Sequence, residues 1–144
     1  MKKAASLLIT GVLAATVLAG CGGDSPYCAA VKDKQSSLDS YGEKRTNASF
    51  SAYTKVARAI AAVAPAGVKK DWTTLADATA GVLKAHRSVG IRLEQMSSTA
   101  KVAELSTAQL KTINDSYNAF NRATKKQGKA VVDNIVKECK ITLA

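Results

Sequence analysis

Apolar residues recur at intervals of three and four along most of the chain, and beyond Gly20 no stretch alternates with the period of two that a half-buried strand requires. The pattern predicts an all-α domain. Its clearest stripe is Phe50, Tyr53, Ala57, Ile60 and Ala64, a helix that would start near Asn47 or Ser49. Ala64-Pro65-Ala66-Gly67 ends it, because proline drives the residue before it out of the helical region. Upstream, Ser25-Pro26 supplies an N-cap followed by proline at the first helical position, and the helix it opens would run to about Tyr41 with Tyr27, Val31 and Leu38 on one side. Gly42 to Asn47 is polar and suits a connector.

A third helix would carry Val68, Trp72, Leu75, Ala78, Val82, His86 and Val89 on one face. A glycine inside a helix costs only about 1 kcal/mol, so this one has room to pass Gly81 and continue beyond Gly90 to Leu93 and Met96. Ser97 to Leu105 is small and polar, a predicted loop. Ser106-Thr107-Ala108-Gln109 then matches a capping box, in which the Ser and Gln side chains satisfy each other's backbone donors. The last helix carries Leu110, Ile113, Tyr117 and Phe120, then Val131, Val132, Ile135 and Cys139. Its apolar face fails from Thr124 to Gly128, which predicts a kink or a split there. Amphipathic segments joined by short links predict an antiparallel bundle of about four helices, with the first helix starting at the end where the last one finishes.

The first 20 residues belong to a different pattern. Met1-Lys2-Lys3 precedes an apolar run from Ala4 to Ala19, shorter than the roughly 20 residues that span a bilayer, and small residues lead up to Cys21. Leu18-Ala19-Gly20-Cys21 resembles the lipobox of bacterial lipoproteins, in which the cysteine thiol takes a diacylglyceryl group and becomes the new N-terminus. The expected organisation is a signal peptide over residues 1–20, a lipidated tether over 21–25 and a helical bundle domain over 26–144. Two acyl chains or more hold a protein stably on a membrane. The anchor therefore implies a location on the cell membrane, on its extracytoplasmic face. Gly22 to Ser25 reaches roughly 15 Å at about 3.3–3.6 Å per residue, so the domain is expected close to the lipid surface.

That location changes how the cysteines read. Cys28 and Cys139 remain after Cys21 is used, and an even pair outside the cytoplasm predicts a disulfide. The loop it would close is about 110 residues, for which chain-entropy reasoning gives on the order of 4.7 kcal/mol. Two cysteines and a single histidine do not make a structural zinc site, and no metal or other cofactor is expected.

Charge adds a class of partner. The whole chain carries a formal net charge of +10, which falls to +8 when Lys2 and Lys3 leave with the signal. Such an excess favours anionic lipid or an anionic wall polymer. Export removes nucleic acid from consideration, and an envelope protein remains a further candidate partner. The sharpest cluster is Arg122, Lys125, Lys126 and Lys129 on the last helix, where residues three and four apart are neighbours. It reads either as an anion-binding face or as ordinary solvated helix surface.

Catalytic chemistry finds no constellation. The acidic residues are scattered singly, no Gly-x-Ser-x-Gly elbow occurs, and one histidine cannot support a Ser/His/Asp arrangement. His86 is expected as a half-buried residue bonded to a neighbour, the alternative being a general base or a ligand. Trp72 is expected in the core.

Overall the chain resembles the small, alanine-rich helical lipoproteins abundant in high-GC Gram-positive bacteria. The resemblance rests on the lipobox, on Tyr27-Cys28 opening the domain, on Ala64-Pro65 before Asp71-Trp72, and on Cys139 near the end. It implies a disulfide-linked bundle and brings no active site. The expected function is non-enzymatic binding at the membrane. The alternative is a small-molecule carrier with an apolar pocket lined by Trp72, Tyr53, Phe120 and Tyr117, and an enzyme or enzyme accessory using His86 is a third reading.

Overall fold

Pro65 makes the hairpin on which the rest of the domain is built. In the computed structural model, which describes residues 25–144, Ala64 is extended (ψ 145°) and leads through Pro65 from α3 (Asn47–Val63) into α4 (Ala66–Val89). These two helices form the most extensive contact in the domain. Before them lie α1 (Pro26–Asp33) and α2 (Gln35–Asp39). After α4 come a 3₁₀ segment (Leu93–Ser97), α5 (Thr99–Ala103), α6 (Thr107–Ala123), a π-helical turn (Thr124–Gly128), α7 (Lys129–Asn134) and a second π-helical turn (Ile135–Cys139). No strand occurs among the described residues.

The helices run up, down, up and down. Ser25, Tyr27 and Cys28 meet Pro65, Glu138 and Cys139 at one end, here called the base. At the other end the α3 N-terminus joins the 3₁₀ segment: the Asn47 N–H donates to Glu94 Oε2 at 3.0 Å and the Leu93 N–H to Asn47 Oδ1 at 3.1 Å. The first strut leaves the base, α3 returns to it, α4 climbs away and α6–α7 comes back down. The bundle is antiparallel, and Cys28 and Cys139 are bridged with their Cα atoms 5.2 Å apart. The expected signal peptide, residues 1–20, and Cys21 lie outside the described residues.

Local signals set most of the helix starts. Ser25 Oγ accepts from the Cys28 N–H at 3.2 Å with Pro26 at the first helical position. Ser106 and Gln109 form the capping box, with Ser106 Oγ accepting from the Gln109 N–H and Gln109 Oε1 from the Ser106 N–H at 2.9 Å. Thr46 caps α3 in the same way with Ser49. Several expectations need correction. The first helix breaks at Lys34 and stops at Asp39, since no apolar side chain between Val31 and Leu38 holds it against the core. The third helix ends at Val89 because Gly90 takes a left-handed conformation (φ 76°), which folds Ile91 and Leu93 back into the interior. The Ser97–Leu105 loop contains α5, capped by Ser98.

The last helix does not split: α6, the first π-helical turn, α7 and the second π-helical turn follow one another with right-handed helical backbone angles at each junction. Its inward positions after Ala123 are Gln127, Val131, Ile135 and Cys139, one every four residues. A regular helix turns about 100° per residue and would carry Cys139 about 160° away from Ala123. Each π-helical turn holds one residue more than an α-turn, so two of them take back about 200°. Val131 and Ile135 stay in the core, and Cys139 reaches Cys28. Val132, expected on the inner face, is turned out and is 41 % exposed.

Candidate functional site

The structure distributes the sequence candidates along the bundle. Arg122, Lys125, Lys126 and Lys129 all project to solvent part-way along the last helix. Lys129 is paired with Asp133 at 2.6 Å, whereas among the described residues no carboxylate pairs with Arg122, Lys125 or Lys126. Trp72 is 1 % exposed in the core, its indole N–H donating to the Tyr27 hydroxyl at 3.3 Å. The aromatic quartet of the carrier reading is divided: Tyr53 and Trp72 line one cleft of about 350 Å³, closed by Leu143 and Ala144, while Phe120 and Tyr117 line another. Residues 140–144 are held over the first cleft by Gln35 Nε2 donating to the Thr142 carbonyl at 3.2 Å and by the Ala144 N–H on Asp39 Oδ1 at 2.8 Å.

His86 is buried completely between α4 and α6, edge-on to Tyr117 with ring centroids 5.7 Å apart. Its Nδ1 lies 3.2 Å from the Ile91 carbonyl, which can only accept, so the neutral ring donates there and leaves Nε2 without a partner. Burial pushes its pKa below 6.5, opposed in part by the Ile91 carbonyl and the Glu94 charge. As pH falls through 6.5 the unfolded chain takes up a proton that the folded chain refuses, so stability held above that pH is lost below it. Glu94 does not confuse the window, since the Asn47 N–H holds its carboxyl below the usual range. Urea midpoints at about pH 7.5 and about pH 5 are expected to fall toward acid in the wild type and to fall less in His86→Gln, which keeps a donor for Ile91. Equal slopes in the two proteins would remove His86 as the titrating group.

A further concave surface lies away from the base and was not singled out by the sequence. Arg45, on the connector between α2 and α3, faces Asn114, Asn118 and Asn121 of α6 across a cleft of about 290 Å³ floored by Phe50, Tyr117 and Phe120. A second cleft of about 560 Å³ shares Arg45 and Tyr117 and extends past Lys44 to Leu93, Glu94 and Met96. The two form one groove. Burial raises the Tyr117 pKa, and the Arg45 charge partly counteracts it, which places the guanidinium within electrostatic reach of the phenol.

Asn114, Asn118 and Asn121 sit at i, i+4 and i+7 on one helix face, with Lys125 one turn further along the same stripe. All three are exposed, and none of their amides makes a hydrogen bond among the described residues. Asparagine is a poorer helix former than alanine by about 0.5 kcal/mol per residue, so the stripe weakens α6 without repaying it in internal contacts. The carboxylates nearby are committed elsewhere: Asp115 to Lys111 at 2.6 Å, and Glu94 to Arg92 and the Asn47 N–H. Lys44 and Arg45 have no carboxylate partner among the described residues. The groove thus offers two cations, three free amides and half-buried aromatic rings. The signal that could have revealed it was the i, i+4, i+7 spacing of the asparagines.

No cluster of His, Cys, Asp and Glu among the described residues could hold a metal ion, and no helix among them is long and apolar enough to cross a membrane. Comparison with protein-family profiles, with curated proteins and with solved structures found no match to this chain.

Proposed function

We propose that the protein is a membrane-anchored lipoprotein of the cell envelope, held on the extracytoplasmic face through a lipidated Cys21, and that it binds an anionic envelope polymer without catalysing a reaction. The lipobox supports the anchor. Cys21 precedes by only four residues the helix cap at Ser25, which belongs to the base. The base therefore stands toward the lipid, with Lys69, Lys70 and Lys140 exposed around it. α4, at 24 residues, extends about 36 Å from there.

The observation that carries the binding reading is the uncompensated basic face of Arg122, Lys125 and Lys126. These residues lie part-way up the bundle, and charges separated from a surface by more than about 8 Å are largely screened at physiological ionic strength. A polymer passing alongside the bundle is a better fit to this face than the headgroups beneath it. Each basic residue close to an anionic surface contributes about 1 kcal/mol. Replacing Arg122, Lys125, Lys126 and Lys129 by Gln is expected to weaken co-sedimentation with anionic wall polymer on the order of a hundredfold and to flatten its salt dependence. Wild-type binding that is absent at physiological salt, or that the four replacements leave unchanged, would overturn the reading.

A further inference from the structure

The asparagine groove narrows what such a polymer must look like, an inference that rests on the polymer-binding reading above. A bare polyanion needs only cations. Arg122, Lys125 and Lys126 already supply those from an exposed helix surface. The groove between Arg45 and α6 has a different chemistry. Each asparagine side chain presents a carbonyl that accepts and an amino group that donates, side by side. Adjacent hydroxyls on a sugar ring do the same in reverse, so an amide row matches a hydroxylated chain in a way that lysines cannot. The spacing of Asn114, Asn118 and Asn121 along the helix repeats the match at about 6 and then about 4.5 Å. Tyr117 and Phe120 line the same cleft and supply aromatic surface against which a sugar ring can pack.

Size and charge agree with a chain more than with a small molecule. At about 290 Å³ the inner cleft is at the lower limit of the roughly 300–1,000 Å³ typical of ligand pockets, and it opens at Arg45 and Tyr117 into its larger neighbour. A ligand seated there can leave in both directions: past Lys44 on one side, and past Lys125 toward the basic face on the other. The Arg45 guanidinium has no carboxylate partner among the described residues and can hold a carboxylate or phosphate with two parallel hydrogen bonds. We infer that this groove is a recognition site for an anionic polysaccharide, with Arg45 taking the charged group and Asn114, Asn118 and Asn121 reading the ring hydroxyls.

The test separates sugar recognition from charge. The protein, purified in neutral detergent, is titrated by calorimetry at physiological salt with alginate oligomers, with a phosphomannan, and with polyglutamate matched to the alginate in carboxylate number. Alginate or phosphomannan is expected to bind at least about tenfold more tightly than polyglutamate, which has the charge but no hydroxyls. Which of the two binds better identifies carboxylate or phosphate as the group at Arg45. The triple variant Asn114→Ala, Asn118→Ala, Asn121→Ala should lose that advantage while its polyglutamate affinity stays within about twofold. Alanine favours the helix at all three exposed positions, so the variant folds, and helicity by circular dichroism checks it. Equal binding of all three polymers, unaffected by the triple variant, would overturn the sugar site and leave the charge-based reading standing. No binding to any of them would overturn both.

Discussion

Inserting one alanine after Gly128 is expected to leave Cys28 and Cys139 as free thiols and to destabilise the domain severely, whereas deleting Gly128 is expected to leave the bridge and the fold intact. The asymmetry comes from the two π-helical turns. The turn at Thr124–Gly128 already holds one residue more than an α-turn, and that extra residue keeps Val131 and Ile135 inward after Ala123. Deleting Gly128 lets the turn close as ordinary α-helix while residues downstream keep their faces. Adding a residue overshoots and rotates them by about 100°. Val131 and Ile135, 3 % and 0 % exposed, would leave the core, at about 1.5–3 kcal/mol each. Cys139 would turn away from Cys28, forfeiting the bridge, worth about 2–5 kcal/mol. Together these losses approach the whole stability of a domain of this size, about 5–15 kcal/mol. Thiol titration of the denatured chains and thermal unfolding of both variants decide the matter. If the deletion proves as damaging as the insertion, the wide turns are not the device that sets the register.

Those turns also mark where sequence reading stops. The capped starts at Ser25 and Ser106, the Ala64-Pro65 corner and the pairing of the two cysteines were legible, because each depends on chemistry within a few residues or on an even count of thiols. The failing apolar face at Thr124–Gly128 was visible as an anomaly. Its resolution was not, since a period of four can be absorbed by a break or by over-wide turns, and only packing against α4 selects between them. Gly90 illustrates the same limit. One glycine inside a helix costs little, and what ends α4 there is the burial of Ile91 and Leu93, which reach the interior only if the chain reverses. The groove was missed for another reason. Arg45 and Asn118 are far apart in sequence and are brought together by the return of α6 alongside α4, so no local pattern joins them. The basic cluster was legible as four residues, but not that Lys129 is half-neutralised by Asp133.

Replacing both Cys28 and Cys139 by alanine is expected to lower the unfolding free energy by about 2–5 kcal/mol, with the damage concentrated in α1. The bridge joins positions 111 residues apart, nearly the full described domain, so the unfolded chain gains most of the freedom a single cross-link can withhold. α1 has only eight residues and buries Tyr27, Cys28 and Val31, too short to persist on its own and dependent on α3 and the last helical turn for its place. Without the bridge, those side chains and the Trp72 to Tyr27 hydrogen bond still tie it to the core. Urea unfolding should show a lower midpoint and a steeper m-value, because the uncrosslinked unfolded state exposes more surface. Amide exchange should quicken across α1 well before α4. A loss under about 1 kcal/mol, or exchange that rises uniformly, would mean that packing alone closes the bundle. The location of the weakness bears on the proposed anchor: with Cys21 lipidated as proposed, α1 is the element through which a pull on Cys21 would reach the rest of the domain. With the bridge, tension at such a tether would pass to the last helix directly through Cys139; without it, α1 would peel away first and, under the proposed anchor, the basic face would lose its fixed position relative to the membrane.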